Sequence, residues 1–262
     1  MKISFLITTH NEDKELDILL EQLTEYLKDN PEDEIVVLDD CSDNPNTLEL
    51  FKKYKDSIDL VKNRLDPMGG GFAEQKNFGN SCCSGDYIFQ IDSDEYFTED
   101  LLYGLKTLIA ENPAVDLFLV PRINILRNIT VNKAAPWGWH ISKFEGFEDT
   151  EVYHDSSEEY DFLKNYNFIK NEKRISDTQL EVTYELPIIN FPDPQHRFYK
   201  KNDVIRWDKP LHEDIIGAEL KTLIPPDPNW CLIHDKTMEK QEKQNRFYMD
   251  NFSEGLNRGM RE

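Results

Sequence analysis

Two carboxylates one residue apart, Asp92 and Asp94, end the run Gly85-Asp86-Tyr87-Ile88-Phe89-Gln90-Ile91-Asp92-Ser93-Asp94-Glu95. Side chains that only accept hydrogen bonds repel each other at that spacing unless a cation or hydroxyl groups bind them. Hard carboxylate oxygens suit Mg2+ or Mn2+ bridging a diphosphate. The residues from Tyr87 to Ile91 have the aromatic and β-branched composition of a buried strand. Open α/β sheets bind ligands at the carboxyl ends of their strands, so this strand would deliver both carboxylates to a docking edge. With 51 Asp and Glu among 262 residues, acidic-x-acidic triplets arise often by chance. The position after a strand is what separates this pair from a solvated turn.

Further groups capable of chemistry lie at similar places. Thr8, Thr9, Asn11 and Glu12 follow one apolar run, and Asp39 and Asp40 follow another. Adjacent strand ends make one crevice, where a carboxylate can accept a pyrimidine N–H or a ribose hydroxyl. The competing explanation is that Asp39 to Asp43 turns the chain and caps a helix, and both can hold. Gly69-Gly70-Gly71 permits close backbone approach and feeds a helix whose first turn could face phosphate. No Gly-x-Gly-x-x-Gly follows the first strand, so this is not a dinucleotide fingerprint. Lys76 is either a cation for a diphosphate or an ordinary surface lysine. Trp137, Trp139 and Trp207 could stack on sugar faces on the acceptor side, or simply pack.

The elements needed to hold these groups are legible as alternating patterns. Ile3 to Thr8 reads as a strand, then Lys14 to Leu27 as a helix with apolar Leu16, Ile18, Leu19, Leu20, Leu23 and Leu27. Glu34 to Leu38 is a strand, Pro45 to Lys53 a helix capped by Asn44 or Asn46, Ile58 to Val61 a short strand, and Phe72 to Ser81 a helix. After the Asp92 to Asp94 turn, Thr98 to Asn112 reads as a helix and Ala114 to Arg122 as a strand. This alternation predicts an α/β fold with a mostly parallel sheet and helices on both faces. From about Asn124 to Leu186 the chain is polar, and reads as an insertion or lid with too few apolar residues for its own core. Gln195 to Lys200 and Val204 to Trp207 read as a hairpin, Trp230 to His234 as a strand, and Thr237 to Gly255 as a charged terminal helix.

Length and this pattern predict one domain over 1–262, in three parts at 1–120, 121–235 and 236–262, the last a C-terminal helix. A formal net charge of −21 argues against nucleic acid or an anionic membrane as partner, since both would be repelled. A bound diphosphate would need a local site that overcomes this field, which strengthens the case for a divalent cation. Cys41, Cys82, Cys83 and Cys231 have no zinc spacing and read as reduced thiols. The N-terminal apolar run is too short for a signal peptide, and nothing approaches the roughly 18 apolar residues of a membrane span. The expectation is therefore a cytoplasmic protein without a transmembrane segment.

Taken in order, Thr8 to Glu12, Asp39 to Ser42, Gly69 to Asn77 and Asp92 to Asp94 resemble the family 2 glycosyltransferases of the GT-A fold. The resemblance covers about residues 1 to 120, with His212-Glu213 and His234 looser. It implies an inverting, metal-dependent transfer of sugar from a UDP- or GDP-sugar to a hydroxyl acceptor such as a glycan or cell-surface precursor. By the same resemblance Asp94 ligates Mn2+ or Mg2+, His234 completes the metal shell or is a core or surface histidine, and Asp92 faces the ribose. Thr8, Glu12 and Asp40 contact the nucleoside, with Asp39 the weaker candidate. Lys76 stands where many relatives carry Arg, keeping the cation and losing the planar fork. The catalytic base falls in the segment Trp207 to Asp214: Glu213 is preferred, Asp214 second, against the reading that both are ordinary surface acids.

Three alternatives compete. An Asp-x-Asp phosphohydrolase would place its pair after the first strand, and a sugar-nucleotide pyrophosphorylase would want an N-terminal Gly-Gly-x-Gly loop. A non-catalytic carbohydrate- or nucleotide-binding protein of the same fold would release no nucleoside diphosphate.

Overall fold

The computed structural model describes residues 1–130, 139, 170–176, 179–184 and 188–252. Its first part alternates strands and helices: β1 (Ile3–Thr9), α1 (Lys14–Asp29), β2 (Glu34–Asp39), α2 (Pro45–Lys53), β3 (Asp59–Lys62), α3 (Gly71–Cys82) and β4 (Tyr87–Asp92). Then follow β5 (Glu95–Phe97), α4 (Glu99–Glu111), β6 (Leu117–Val120), β7 (Arg122–Arg127) and β8 (Ile129–Thr130). The later strands are β9 (Lys170–Ser176), β10 (Gln179–Tyr184), β11 (Ile188–Ile189), β12 (Gln195–Lys200), β13 (Arg206–Asp208), β14 (Asp214–Ile216) and β15 (Lys221–Leu223). A 3-10 turn at Pro228–Trp230, β16 (Leu232–Thr237) and α5 (Met238–Asn251) complete the described chain.

Seven strands form the main sheet in the order β15-β6-β12-β4-β1-β2-β3. All run parallel except β12, which is antiparallel to both β4 and β6. The expected mostly parallel α/β sheet is therefore what forms. Strand order reverses at β1, with β2 on one side and β4 on the other, which opens a crevice between their carboxyl ends. Period-two alternation divides the core: Ile3, Phe5, Ile7, Ile35, Val37, Phe89 and Ile91 pack under α1 and α4, whose buried leucines include Leu16, Leu19, Leu20 and Leu23. Leu6, Val36, Leu38 and Ile88 face the other way, toward Ala73 of α3 and the β13–β14 hairpin residues Trp207 and Ile215.

A second sheet, β11-β7-β16-β5, is joined to the first by the turn between β4 and β5. That turn is the Asp92-Ser93-Asp94-Glu95 segment itself. The apolar stretch expected as one strand over Ala114 to Arg122 is split at Pro121, which has no N–H for a ladder. The chain leaves the first sheet after Val120 and enters the second at Arg122. Strand β5 was not foreseen, because three residues give too short a pattern to read.

The hairpin expected between Gln195–Lys200 and Val204–Trp207 does not form. β12 inserts between β4 and β6, and β13 pairs instead with β14. Part of the polar segment from Asn124 to Leu186 is also regular: β7 continues to Arg127, and β8, β10 and β9 make a small antiparallel sheet. The rest of that segment lies outside the described residues, as does the chain after Phe252, where the terminal helix was expected to reach Gly255. All four cysteines are free. Among the described residues no helix is long and apolar enough to cross a membrane.

The hairpin that carries Glu213 is anchored through glycine. Gly71 has φ +62°, and a Cβ there would come within 2.8 Å of Pro210 Cα and collide with its carbonyl. The close approach lets Phe72 N donate to Pro210 O at 3.0 Å. Gly71→Ala is expected to cost about 1–3 kcal/mol through the strained φ and the clash. A denaturant melt followed by tryptophan emission, in which Trp207 reports on the hairpin, measures this. An unchanged midpoint would remove Gly71 as the anchor.

Candidate functional site

The crevice at the β1–β4 switch point collects residues by strand parity. Thr8 and Asp92 sit opposite each other in the parallel ladder, and Thr8 Oγ1 donates to Asp92 Oδ1 at 2.9 Å. Asp40 follows Leu38 on the same face and accepts from Leu65 N at 2.7 Å. Thr9 and Asp39 point the other way, beneath α1. Asp39 is fully buried, and its Oδ1 accepts from Ser42 N and from Ser42 Oγ at 3.0 and 2.5 Å. This is the turn-forming role weighed against it. Asn11, with φ 56°, accepts from Asp43 N and Asn44 N through one oxygen, both at 2.9 Å, and so staples the β1 and β2 loops together. Asn44, not Asn46, caps α2.

Asp92 is held by an ion network that sequence reading did not assemble. Arg197 of β12 donates from Nη2 to Asp92 Oδ2 at 2.6 Å and to Glu95 Oε1 at 2.7 Å, while its Nη1 donates to Gln90 Oε1. Arg122 of β7 also donates to Glu95 Oε1, at 2.7 Å, and from Nη2 to Asp193 Oδ2 at 2.7 Å. Glu95 Oε2 accepts from Asp92 N at 3.1 Å, so one buried carboxylate fixes both guanidiniums and the turn. Burial opposes the ionisation of Asp92, yet Arg197 and Lys76 hold its pKa well below the usual carboxylate range. Burial likewise opposes that of Asp193, and Arg122 with the Asn124 hydrogen bond holds it low. The available signal was a single Gln in an apolar strand. Gln90 lies two residues before Asp92, hence on the same face, and its amide donates to Thr8 and Asp92.

Asp94 stands on the far side of the turn, where β16 brings His234 beneath it. His234 pairs in register with Asn124 of β7 and with Glu95 of β5. Its Nε2 lies 3.3 Å from Asp94 Oδ2, and Nδ1 lies 3.0 Å from Asn124 Oδ1. Lys240 of α5 reaches the same carboxylate at 3.3 Å and Glu12 at 2.8 Å. Burial works against the charge on Asp94, but His234, Lys240 and Lys236 hold its pKa far below the ordinary value. Burial and the neighbouring Lys236 push the His234 pKa down, against the pull of Asp94. Lys236, itself desolvated, is pushed down to about 8. Burial raises Glu12, against the pull of Lys240.

The remaining candidates sort by what they touch. Lys76, only 7% exposed, pairs with Glu213 Oε1 at 3.1 Å and lies over the Trp207 ring at 4.4 Å. The α3 helix and the β13–β14 hairpin thus meet through an ion pair. Asp214 faces elsewhere, 3.3 Å from His196 Nδ1 and 3.7 Å from Lys209 Nζ. Burial raises the phenol pKa of Tyr248 in α5, and so do the charges of Glu213, Asp92 and Asp94, which it neighbours. Trp207 is 3% exposed, between Lys76 and Tyr199. It has no free face for a sugar, which corrects its reading as an acceptor-side aromatic. Trp139 packs against the cluster of Leu126, Ile129, Ile189 and Met238. Trp137 lies outside the described residues.

Because Asp92 and Asp193 have lowered pKa values, their ionised forms stabilise the fold above an ordinary carboxylate pKa near 4, and this is lost as pH falls below it. Arg197→Met leaves Asp92 and Glu95 buried without one partner and is expected to cost about 3–5 kcal/mol at pH 7. The deficit against wild type should narrow as pH falls toward about 3, because Asp92, still ionised in wild type, takes up a proton once the guanidinium is gone. Melting curves across pH 7 to 3 test this; a deficit independent of pH would count against it.

Comparison with known proteins matches this arrangement to one family. The model described as glycosyl transferase family 2 covers residues 4–172. Poly(ribitol-phosphate) beta-N-acetylglucosaminyltransferase TarS of Staphylococcus aureus is 30% identical over 120 residues, 46% of this chain and 21% of TarS. An uncharacterised glycosyltransferase of Haemophilus influenzae is 26% identical over 119 residues, 45% of this chain and 38% of that one. The crystal structure of S. aureus TarS 1-349 in complex with UDP-GlcNAc aligns with a TM-score of 0.51 at 20% identity, over 90% of this chain and 59% of that one. These matches span less than two thirds of each relative's length. The family match takes in the first strand, the Asp92 to Asp94 turn and the network behind it as far as Asn124, and on that match the chain belongs to glycosyl transferase family 2.

Proposed function

We propose that this chain is an inverting, metal-dependent glycosyltransferase that moves a sugar from a UDP- or GDP-sugar to a hydroxyl group of a glycan or cell-surface precursor. The observation that carries the reading is the Lys76–Glu213 pair beside Asp92, which joins the donor and acceptor sides of one crevice. The TarS relative is named for a β-linked product, and its structure holds UDP-GlcNAc, an α-linked donor. Both support a UDP-sugar and inversion here.

In this reading Thr8, Glu12 and Asp40 hold the nucleoside and Asp92 faces the ribose. Lys76 offers its charge to the diphosphate. The acceptor hydroxyl attacks the anomeric carbon from the side opposite the leaving group, and its proton passes to Glu213, with Asp214 the adjacent alternative. The carbon–oxygen bond to the diphosphate breaks, and the leaving group keeps the electron pair.

The donor set at Asp94 suits a divalent ion. Among the described residues no three His, Cys, Asp or Glu side chains gather as a metal cluster, and Asp94 and His234 are the side chains that would hold the ion. An imidazole favours Mn2+ over Mg2+ in such a set. The ion would offset charge growing on the leaving diphosphate.

Two measurements test the reading. UDP and GDP affinity, taken with Mn2+ and with EDTA for wild type and Asp94→Asn, is expected to be high only for wild type with Mn2+. Equal affinity in all conditions would sink the metal role. Glu213→Gln should keep donor affinity and lower donor turnover on the order of 10²-fold, read as nucleoside diphosphate release. If Asp214→Asn carries that loss instead, the base is Asp214. If neither does, the base lies outside this segment.

A further inference from the structure

Helix α5 runs from the Asp94 end of the crevice to the first turn of α3. Lys240, Gln244 and Tyr248 recur every four residues and so share one face of the helix, and Phe252 follows just past its end. Lys240 reaches Glu12 at 2.8 Å and Asp94 at 3.3 Å. Gln244 accepts from Lys236 Nζ at 2.9 Å, and its Nε2 donates to the Tyr248 hydroxyl oxygen at 2.5 Å. The Tyr248 ring meets Phe72 edge-on with centroids 6.0 Å apart, and Phe252 stacks on Phe72 at 5.5 Å. Ion pairs therefore fix one end of this face, and an aromatic clasp fixes the other.

Phe72 ties this clasp to the rest of the site. Its backbone N donates to Pro210 O of the hairpin that carries Glu213. One turn along α3, on the same face, stands Lys76, which pairs with Glu213 Oε1 at 3.1 Å. Tyr248 and Lys76 share Glu213 and Asp92 as charged neighbours, and Tyr248 adds Asp94. In the reading above these three carboxylates serve the acceptor hydroxyl, the ribose and the metal ion. What such groups enclose between them is the diphosphate, and the phosphate beside Glu213 is the one bonded to the sugar. A phenol offers there what carboxylates lack, an O–H that donates.

We infer that Tyr248 is a further donor-binding residue, whose hydroxyl donates a hydrogen bond to an oxygen of the sugar-linked β-phosphate, with Gln244 as the positioning residue behind it. This rests on the donor class and on the roles of Asp92, Asp94 and Glu213 proposed above. A hydrogen bond to a charged phosphate oxygen is stronger than one between neutral groups, and it strengthens further as negative charge gathers on the leaving group. The Tyr248 proton stays on the phenol throughout. Helix α5 thereby becomes a wall of the donor site, and the clasp at Phe72 sets how far its hydroxyl reaches.

Tyr248→Phe keeps the ring and its clasp and removes the hydroxyl alone. Calorimetric titrations with UDP and UMP, and with GDP and GMP, in Mn2+ compare it with wild type. Affinity for the nucleoside diphosphate that wild type binds is expected to fall about tenfold or more, while affinity for the matching monophosphate is unchanged. Gln244→Leu, which leaves the hydroxyl in place but without its amide, should show a smaller loss with the same selectivity. A purely structural role would lower diphosphate and monophosphate affinity together, along with the melting temperature. That result, or a Tyr248→Phe variant that binds the diphosphate as wild type does, overturns the inference and leaves the donor reading standing. If wild type binds neither UDP nor GDP, the donor reading itself fails and takes this inference with it.

Discussion

The Glu95 carboxylate is the interaction on which the site depends. It is fully buried, and a bare carboxylate there would be prohibitively desolvated. Two guanidiniums from different strands resolve this, Arg197 from the main sheet and Arg122 from the second. The same side chain accepts from Asp92 N, so the turn between the sheets is shaped by the charge that ties them together. Three carboxylates, Asp92, Glu95 and Asp193, share only two guanidiniums, and Asp94 adds a fourth negative charge in the same turn. The surplus negative charge is met by Lys76, Lys240 and Lys236, each on a different element from the carboxylates it faces.

A chain this acidic overall therefore keeps a few of its cations inside, Lys76 and Arg197 among them. Buried Arg197 and Lys76, with the partly buried Arg122, set the local field at the crevice.

Local patterns made much of the fold legible. The helix from Lys14 is a clean apolar stripe, and β1, β2 and β4 are runs bounded by turn residues, so their boundaries fall within a residue or two of those observed. Partner choice was not legible. The runs at Gln195–Lys200 and Arg206–Trp207 are close in sequence, yet sheet formation sends one between β4 and β6 and the other to β14, a decision made by distant strands. The site follows the same division. Asp92 and Asp94 could be read because a strand precedes them. Their partners Arg197 and His234 are 105 and 140 residues away, and no local spacing announces them. Parity would have separated Thr8 from Thr9 and Asp40 from Asp39, since the burial of one sheet face under α1 assigns alternate residues to the core and to the crevice.

The turn from Asp92 to Glu95 is also one of the covalent joints between the two sheets, and a ligand bound there would tie their local unfolding to its occupancy. Opening β16 or β7 would release His234, Asn124 and Arg122 together, loosening the joint from behind. A ligand held by the turn binds the closed form and not the opened one, so its binding energy is added to the cost of opening. Backbone amides of Ile123 and Ile233, which face no ligand, would then exchange with solvent more slowly in its presence. Slowed exchange deep in the small sheet would be a footprint of occupancy at a site several side chains away.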